Sequence, residues 1–221
     1  MSKGKLERFA ENERFDNMFQ YTYKDLEKEG SFPLRGKWAK EFFKNDNPIV
    51  LELGCGKGEY TIGLGEKYID KNFIGVDIKG ARMWRGCKTS NINGMKNIAF
   101  LRTQIELIDN YFANDEVDEI WITFPDPQLN KERKRLSSER FLERYRRIMK
   151  KGGIIHLKTD SQELYSYTMD EVLRPNNMKI LFHSADLYNS NFNEDVIGIR
   201  TFYENIYLSQ SKPITYIKFE I

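Results

Sequence analysis

Short runs of consecutive apolar residues alternate along the chain with stretches in which apolar positions return every three or four residues. This switching predicts a parallel sheet with crossover helices. Strands are expected at Ile49–Leu53, Phe73–Ile78, Ile98–Leu101, Glu119–Thr123, Ile154–Lys158 and Lys179–His183. Helices are expected near Glu59–Tyr68, Ala81–Ile92, Gln104–Tyr111, Ser138–Met149 and Gln162–Leu173. The fourth helix is the clearest, because Phe141, Leu142, Tyr145, Ile148 and Met149 share one face with arginines opposite. Gly152 and Gly153 follow it, as glycines follow helices that end in a left-handed turn. Thr215–Ile221, TYIKFEI, alternates like a half-buried strand and suits an antiparallel edge. Residues 1–48 break the alternation: they are polar, studded with Phe9, Phe15, Phe19, Tyr21 and Tyr23, and closed by Pro48. The expected fold is α/β, a doubly wound, mostly parallel, Rossmann-like sheet over residues 49–221 with an antiparallel C-terminal edge strand, and residues 1–48 as an N-terminal extension packed on that core.

Composition narrows the class. A chain of 221 residues, 40% hydrophobic with 15 Phe, 12 Tyr and 3 Trp, can fill one core, which excludes wholesale disorder and argues against two full domains. Two cysteines, Cys55 and Cys87, cannot make a disulfide framework, and His156 and His183 offer no zinc-ligand spacing, so no metal is expected. The charged N-terminus and the lack of a long apolar run point to the cytoplasm and to no membrane. Net charge is +2, yet Lys131–Lys151 alone carries +7, leaving −5 on the other 200 residues. A second stretch, Lys79–Thr103, holds six cations and no acid. Two basic patches on a near-neutral chain suit a polyanion such as nucleic acid; solvated helix faces are the plainer alternative.

Chemistry enters at IVLELGCGKGEY, where Gly54, Gly56 and Gly58 fall between a strand and a helix and let backbone approach a ligand. Glu52 is a carboxylate inside the first buried strand, costly without a polar partner. Asp77 ends the next strand, where an acid accepts hydrogen bonds from ribose hydroxyls. A nicotinamide dinucleotide needs its third glycine where Glu59 stands, and its pyrophosphate would meet Glu52; the cationic S-adenosylmethionine fits better. Farther on, Asp126 lies between Pro125 and Pro127 at the end of the fourth strand, just before the basic arm. Asp160 ends the fifth strand in LKTD, and RTFYE brings Arg200, Thr201, Tyr203 and Glu204. Either Asp160 or Glu204 could accept from N1–H and the amine of guanine. His156 reads as a core histidine and Cys55 as small packing in the glycine turn.

Taken together, LELGCGKG, GVDIK, FPDP with its basic tail, LKTD and TFYE resemble the bacterial tRNA (guanine-N7)-methyltransferases that modify position 46 in the variable loop, and follow that family's order over most of the chain after residue 48. The resemblance implies a class I methyltransferase fold, S-adenosylmethionine as cofactor and tRNA as partner. It places Glu52, Asp77, Gln104 and Asp126 at the cofactor with the glycine turn, and makes Asp126 the catalytic carboxylate. Substrate contacts fall on Asn130 or Lys131, on Asp160 and on Thr201, Phe202, Tyr203 and Glu204, with Arg133, Lys134 and Arg135 on the RNA. The chain departs from the family at Gln128, where Trp is common, at Asn130, where direct counting puts a Lys, at Gln104, often acidic, and at Phe202, often basic. Two alternatives stay open: an RNA methyltransferase of other base specificity, and a non-catalytic RNA-binding protein on the same scaffold. No oligomeric partner is implied.

Overall fold

Five consecutive buried residues, Ile49 to Leu53, form the strand about which the sheet is arranged. The computed structural model describes residues 4–192 and 198–221. The chain begins with α1 (Lys5–Asn12), β1 (Met18–Gln20), α2 (Tyr23–Glu29) and a π-helical turn at Trp38–Phe43. The core then runs β2 (Ile49–Leu53), α3 (Glu59–Lys67), β3 (Asn72–Asp77), α4 (Gly80–Ile92), β4 (Ile98–Arg102), a 3₁₀ turn (Ile105–Asn110) and β5 (Val117–Thr123). After a short 3₁₀ turn at Glu132–Lys134 come α5 (Glu139–Ile148), β6 (Met149–Thr159), α6 (Gln162–Tyr167), β7 (Ile180–Ser184), α7 (Phe202–Ser209) and β8 (Thr215–Glu220).

The eight strands lie in the order β1-β4-β3-β2-β5-β6-β8-β7. Pairings from β1 through β6 are parallel, and β8 runs antiparallel to both its neighbours. Because β3 pairs on one side of β2 and β5 on the other, the direction of winding reverses there. The carboxyl ends of β2, β3 and β5 therefore border the crevice in which open α/β sheets bind ligands.

The structure differs from the periodicity in several places. The helix expected over Gln104–Tyr111 is a 3₁₀ turn, the one expected over Gln162–Leu173 is α-helical only to Tyr167, and α7 is an added element. Three further differences bear on the site. The helix α5 stops at Ile148 with Met149 already extended, so Gly152 and Gly153 are not its cap: they lie in the irregular start of β6, where the register with β5 shifts between Val117 and Glu119 and Gly152 takes φ +79°. The C-terminal strand is antiparallel as expected but sits one place in from the rim, which β7 occupies. The first 48 residues do more than cover the core. Met18, Phe19 and Gln20 pair with Phe100, Leu101 and Arg102, adding a strand to the sheet. Trp38 is fully buried, stacks on Phe112 at 5.6 Å and donates its indole N–H to the Tyr111 carbonyl at 3.0 Å. Asn12 donates to the Gly80 carbonyl at 2.9 Å, so α1 also holds the turn that follows Asp77.

Since Trp38 packs against Phe19, Phe32, Phe42 and Phe43 as well, Trp38→Ala should cost about 3–5 kcal/mol. Urea unfolding checks this; a loss below about 1 kcal/mol would make the extension a detachable cover.

Candidate active site

The strand β2 ends in a carboxylate taken out of water. Glu52 Oε2 accepts from the Thr61 N–H at 2.8 Å and the Thr61 hydroxyl at 2.5 Å, and Oε1 accepts from the Thr123 hydroxyl at 2.8 Å. One buried side chain thus ties β2 to α3 and β5. Burial pushes its carboxyl up from 4.5 to about 7; the three hydrogen bonds oppose that rise and the charge of Asp77 adds to it.

The turn after β2 runs on left-handed glycines, with φ +80° at Gly54, +56° at Gly56 and +74° at Gly58. At Gly58 a side chain is excluded twice over, since an added Cβ would also lie 2.6 Å from the Phe100 ring. Gly56 donates its N–H to Asp77 Oδ2 at 2.9 Å, and Lys79 donates to Oδ1 at 2.8 Å, fixing the carboxylate at the end of β3. Each oxygen keeps a further lone pair for a ligand. Cys55 is buried in the turn and its thiol is held well above the ordinary value by burial, so it is packing.

After β5 the chain enters the Asp126 loop through strained backbone. Phe124 has φ +48° and Gln128 φ +47°, conformations that bulky residues rarely adopt and that cluster at functional sites. Phe124 donates its N–H to the Lys158 carbonyl at 2.8 Å, and Gln128 donates to Asp126 Oδ1 at 3.0 Å. Asp126 itself is exposed. A cleft of about 660 Å³ is lined by Gly54, Asp77, Gln104, Asp126 and Lys134, within the size range of small-molecule sites. A smaller cavity containing Glu52, Gly56 and Thr201 shares Gly54, Asp77, Arg82 and Phe124 with it.

The other candidates divide. Asn130, Lys131, Arg133 and Lys134 are exposed, and Asp160 is half-buried just past β6 outside the lining of both cavities. Thr201 caps α7, accepting from the Glu204 N–H at 3.1 Å. The side chains of Phe202 and Tyr203 lie outside the described ones. Glu204, expected against the substrate, is instead fully buried: its Oε1 lies 2.5 Å from Lys158 Nζ and accepts from the Tyr188 hydroxyl at 2.6 Å. Arg135, expected on the RNA, is buried in the free chain and bonded to Pro127 and Glu163. Lys158, which the sequence marks only as part of LKTD at the strand end, donates to the Tyr60 hydroxyl at 2.8 Å; a lysine inside an apolar strand is a sign that a buried acid awaits it. No group of residues suited to a metal occurs among the described residues, and none of their helices is long and apolar enough to cross a membrane.

Comparison with known proteins adds an independent finding. A family model described as putative methyltransferase matches residues 46–217. A tRNA (guanine-N(7)-)-methyltransferase of Christiangramia forsetii is 55% identical over all of this chain and 99% of its own length. One from Bacteroides fragilis is 54% identical over 99% of this chain and 86% of its own. Among solved structures, the 16S rRNA methyltransferase KamB aligns with a TM-score of 0.62 over 91% of this chain and 94% of its own at 14% identity, a likeness of fold.

The raised Glu52 carboxyl makes stability depend on pH. The folded chain holds this proton longer than the unfolded chain, so the group's contribution is fully present below 4.5 and is lost as pH rises through about 7. Between about pH 5 and pH 8 the native protein should lose about 2–3 kcal/mol through it, and Glu52→Gln should not. Urea unfolding of both proteins at the two pH values checks this; equal losses in both would refute it.

Proposed function

This chain belongs to the tRNA (guanine-N7)-methyltransferase family, and we propose that it transfers a methyl group from S-adenosylmethionine to N7 of guanine 46 in the tRNA variable loop. The observation that supports this reading best is the cleft that joins the glycine turn and Asp77 to Asp126, with Lys134 in its wall.

The residues fit the cofactor. Added Cβ atoms at Gly54 and Gly56 would meet nothing within 4 Å, so this backbone lies open to a ligand. Glu52 brings negative charge to the end of β2, which suits a sulfonium and an ammonium, and the remaining lone pairs of Asp77 suit ribose hydroxyls. Gln104, exposed in the wall of the same cleft, can bond the nucleoside. When bound, S-adenosylmethionine supplies an electrophilic methyl group that needs no further activation.

Guanine N7 carries a lone pair and no proton, so the chain need not remove one. Its tasks are to hold N7 in line with the methyl group and to accommodate the positive charge that the purine gains. Asp126 performs both, presenting an exposed carboxylate from a loop whose shape is restricted by two prolines. Asp160, at the carboxyl end of the neighbouring β6, suits the Watson–Crick edge of the base. Glu204 acts through Lys158 to hold α7 in place. Lys131, Arg133 and Lys134 meet phosphates, and a guanine inside folded RNA is reached by such shape-reading contacts. A tRNA-modifying role places the protein in the cytoplasm.

Replacing guanine 46 by 7-deazaguanine removes the nucleophile and leaves the Watson–Crick edge intact. Methylation of that tRNA should cease, and continued incorporation of labelled methyl would reject N7 as the acceptor. Asp126→Asn should fold and keep cofactor affinity while single-turnover transfer falls about a hundredfold, near 2.7 kcal/mol. A variant with native single-turnover rates would leave Asp126 a turn-capping residue.

A further inference from the structure

The densest run of cations in the chain contains one that faces inward. Arg135 is 2% exposed, whereas Lys131, Arg133 and Lys134 are all exposed. Its Nε–H donates to the Pro127 carbonyl at 3.0 Å, and its Nη2 donates to Glu163 Oε1 at 2.6 Å. The guanidinium also lies 4.3 Å from the centroid of the Tyr167 ring. One side chain thereby joins the exit of the Asp126 loop to both the first and last turns of α6.

That loop needs outside support. Phe124 and Gln128 hold unfavourable positive φ on either side of Asp126, a strain that persists only where the surroundings impose it. The Lys158 carbonyl holds the entrance, and the bond from Gln128 to Asp126 is internal to the loop. Arg135 supplies a hold from outside on the exit side. A guanidinium suits this place because its planar fork reaches a carbonyl and a carboxylate at once while its face rests on a ring; an ammonium cannot do all three.

We propose that Arg135 is a positioning residue which fixes the Asp126 carboxylate in its working place by anchoring the Pro127 carbonyl to α6, and that it does not bind RNA. The proposal rests on the reading of Asp126 given above.

The test uses full-length protein, S-adenosylmethionine and tRNA. Arg135→Lys keeps the positive charge and loses the fork. Its single-turnover rate at saturating tRNA should fall at least tenfold, with cofactor affinity within about twofold of native. The slope of log tRNA affinity against log salt should be unchanged, whereas Arg133→Ala, a phosphate contact, should flatten it by about 0.7–0.9. Glu163→Gln, which weakens the far anchor from the surface, should lower the same rate by a smaller factor and carries the test if Arg135→Lys does not fold. A native rate in Arg135→Lys, or in Glu163→Gln where Arg135→Lys does not fold, or a slope flattened by Arg135→Lys as much as by Arg133→Ala, would overturn the proposal. Joining Arg135→Lys to Asp126→Asn should slow transfer no further than Asp126→Asn alone, while multiplied losses would mean that Arg135 acts elsewhere. Slow Asp126→Asn with native Arg135→Lys removes this proposal only; native Asp126→Asn removes its premise as well.

Discussion

A carboxylate removed from water at the end of β2 organises the site. Glu52 retains its place only because Thr61 and Thr123 give it three hydrogen bonds, and those two residues come from α3 and β5. Satisfying one buried acid therefore sets the spacing between the central strand, its neighbour and the first crossover helix. The glycine turn hangs from the same point, since Gly54 and Cys55 both donate to the Val76 carbonyl of β3. Desolvation makes this arrangement expensive in the free protein, and the cationic cofactor proposed above would offset that expense on arrival. The strain at Phe124 and Gln128 is a second cost at the same crevice, on the far side of β5. Both charges to stability lie where the chemistry is proposed, and the apolar core beneath supplies the margin.

Much of the fold is legible because strands buried on both faces read as continuous apolar runs. Ile49–Leu53 is found to the residue, and the neighbouring strands to within a few. The misreadings share a cause, which is that local pattern does not report a distant partner. Gly152 and Gly153 look like a helix end because their pairing irregularity is set by β5, some thirty residues earlier. Three residues of β1 are too short for a periodicity to show, and they become a strand only against β4. The last helix, by contrast, had a local signature: Thr201 and Glu204 at a spacing of three form a capping box that can be read from the letters alone.

The candidate site was legible in its types and less so in its geometry. Glycines, a strand-end acid and a proline-flanked aspartate announce themselves, since few structural duties ask for them at those spacings. Arg135 did not, because in the sequence it is one cation among several. Its difference from Arg133 is created by Tyr167 and Glu163, which reach it only once α6 has packed. The burial of Glu204 is hidden for the same reason, since its partner Lys158 stands on β6, far from α7 in the chain. In both cases a charge chosen for a macromolecular ligand turned out to be neutralised inside the protein.

The place of β8 bears on how the protein is made. It lies between β6 and β7 and is synthesised after both, so neither can complete its hydrogen bonding until Thr215–Glu220 has left the ribosome. During elongation β6 offers an open edge on the side that will receive β8, and among the described residues β7 pairs with no strand but β8. Unpaired edges of this kind invite association with other chains. Emergence of β8 is therefore the event that closes this half of the sheet, and a message truncated before Thr215 would yield a product with these edges uncovered.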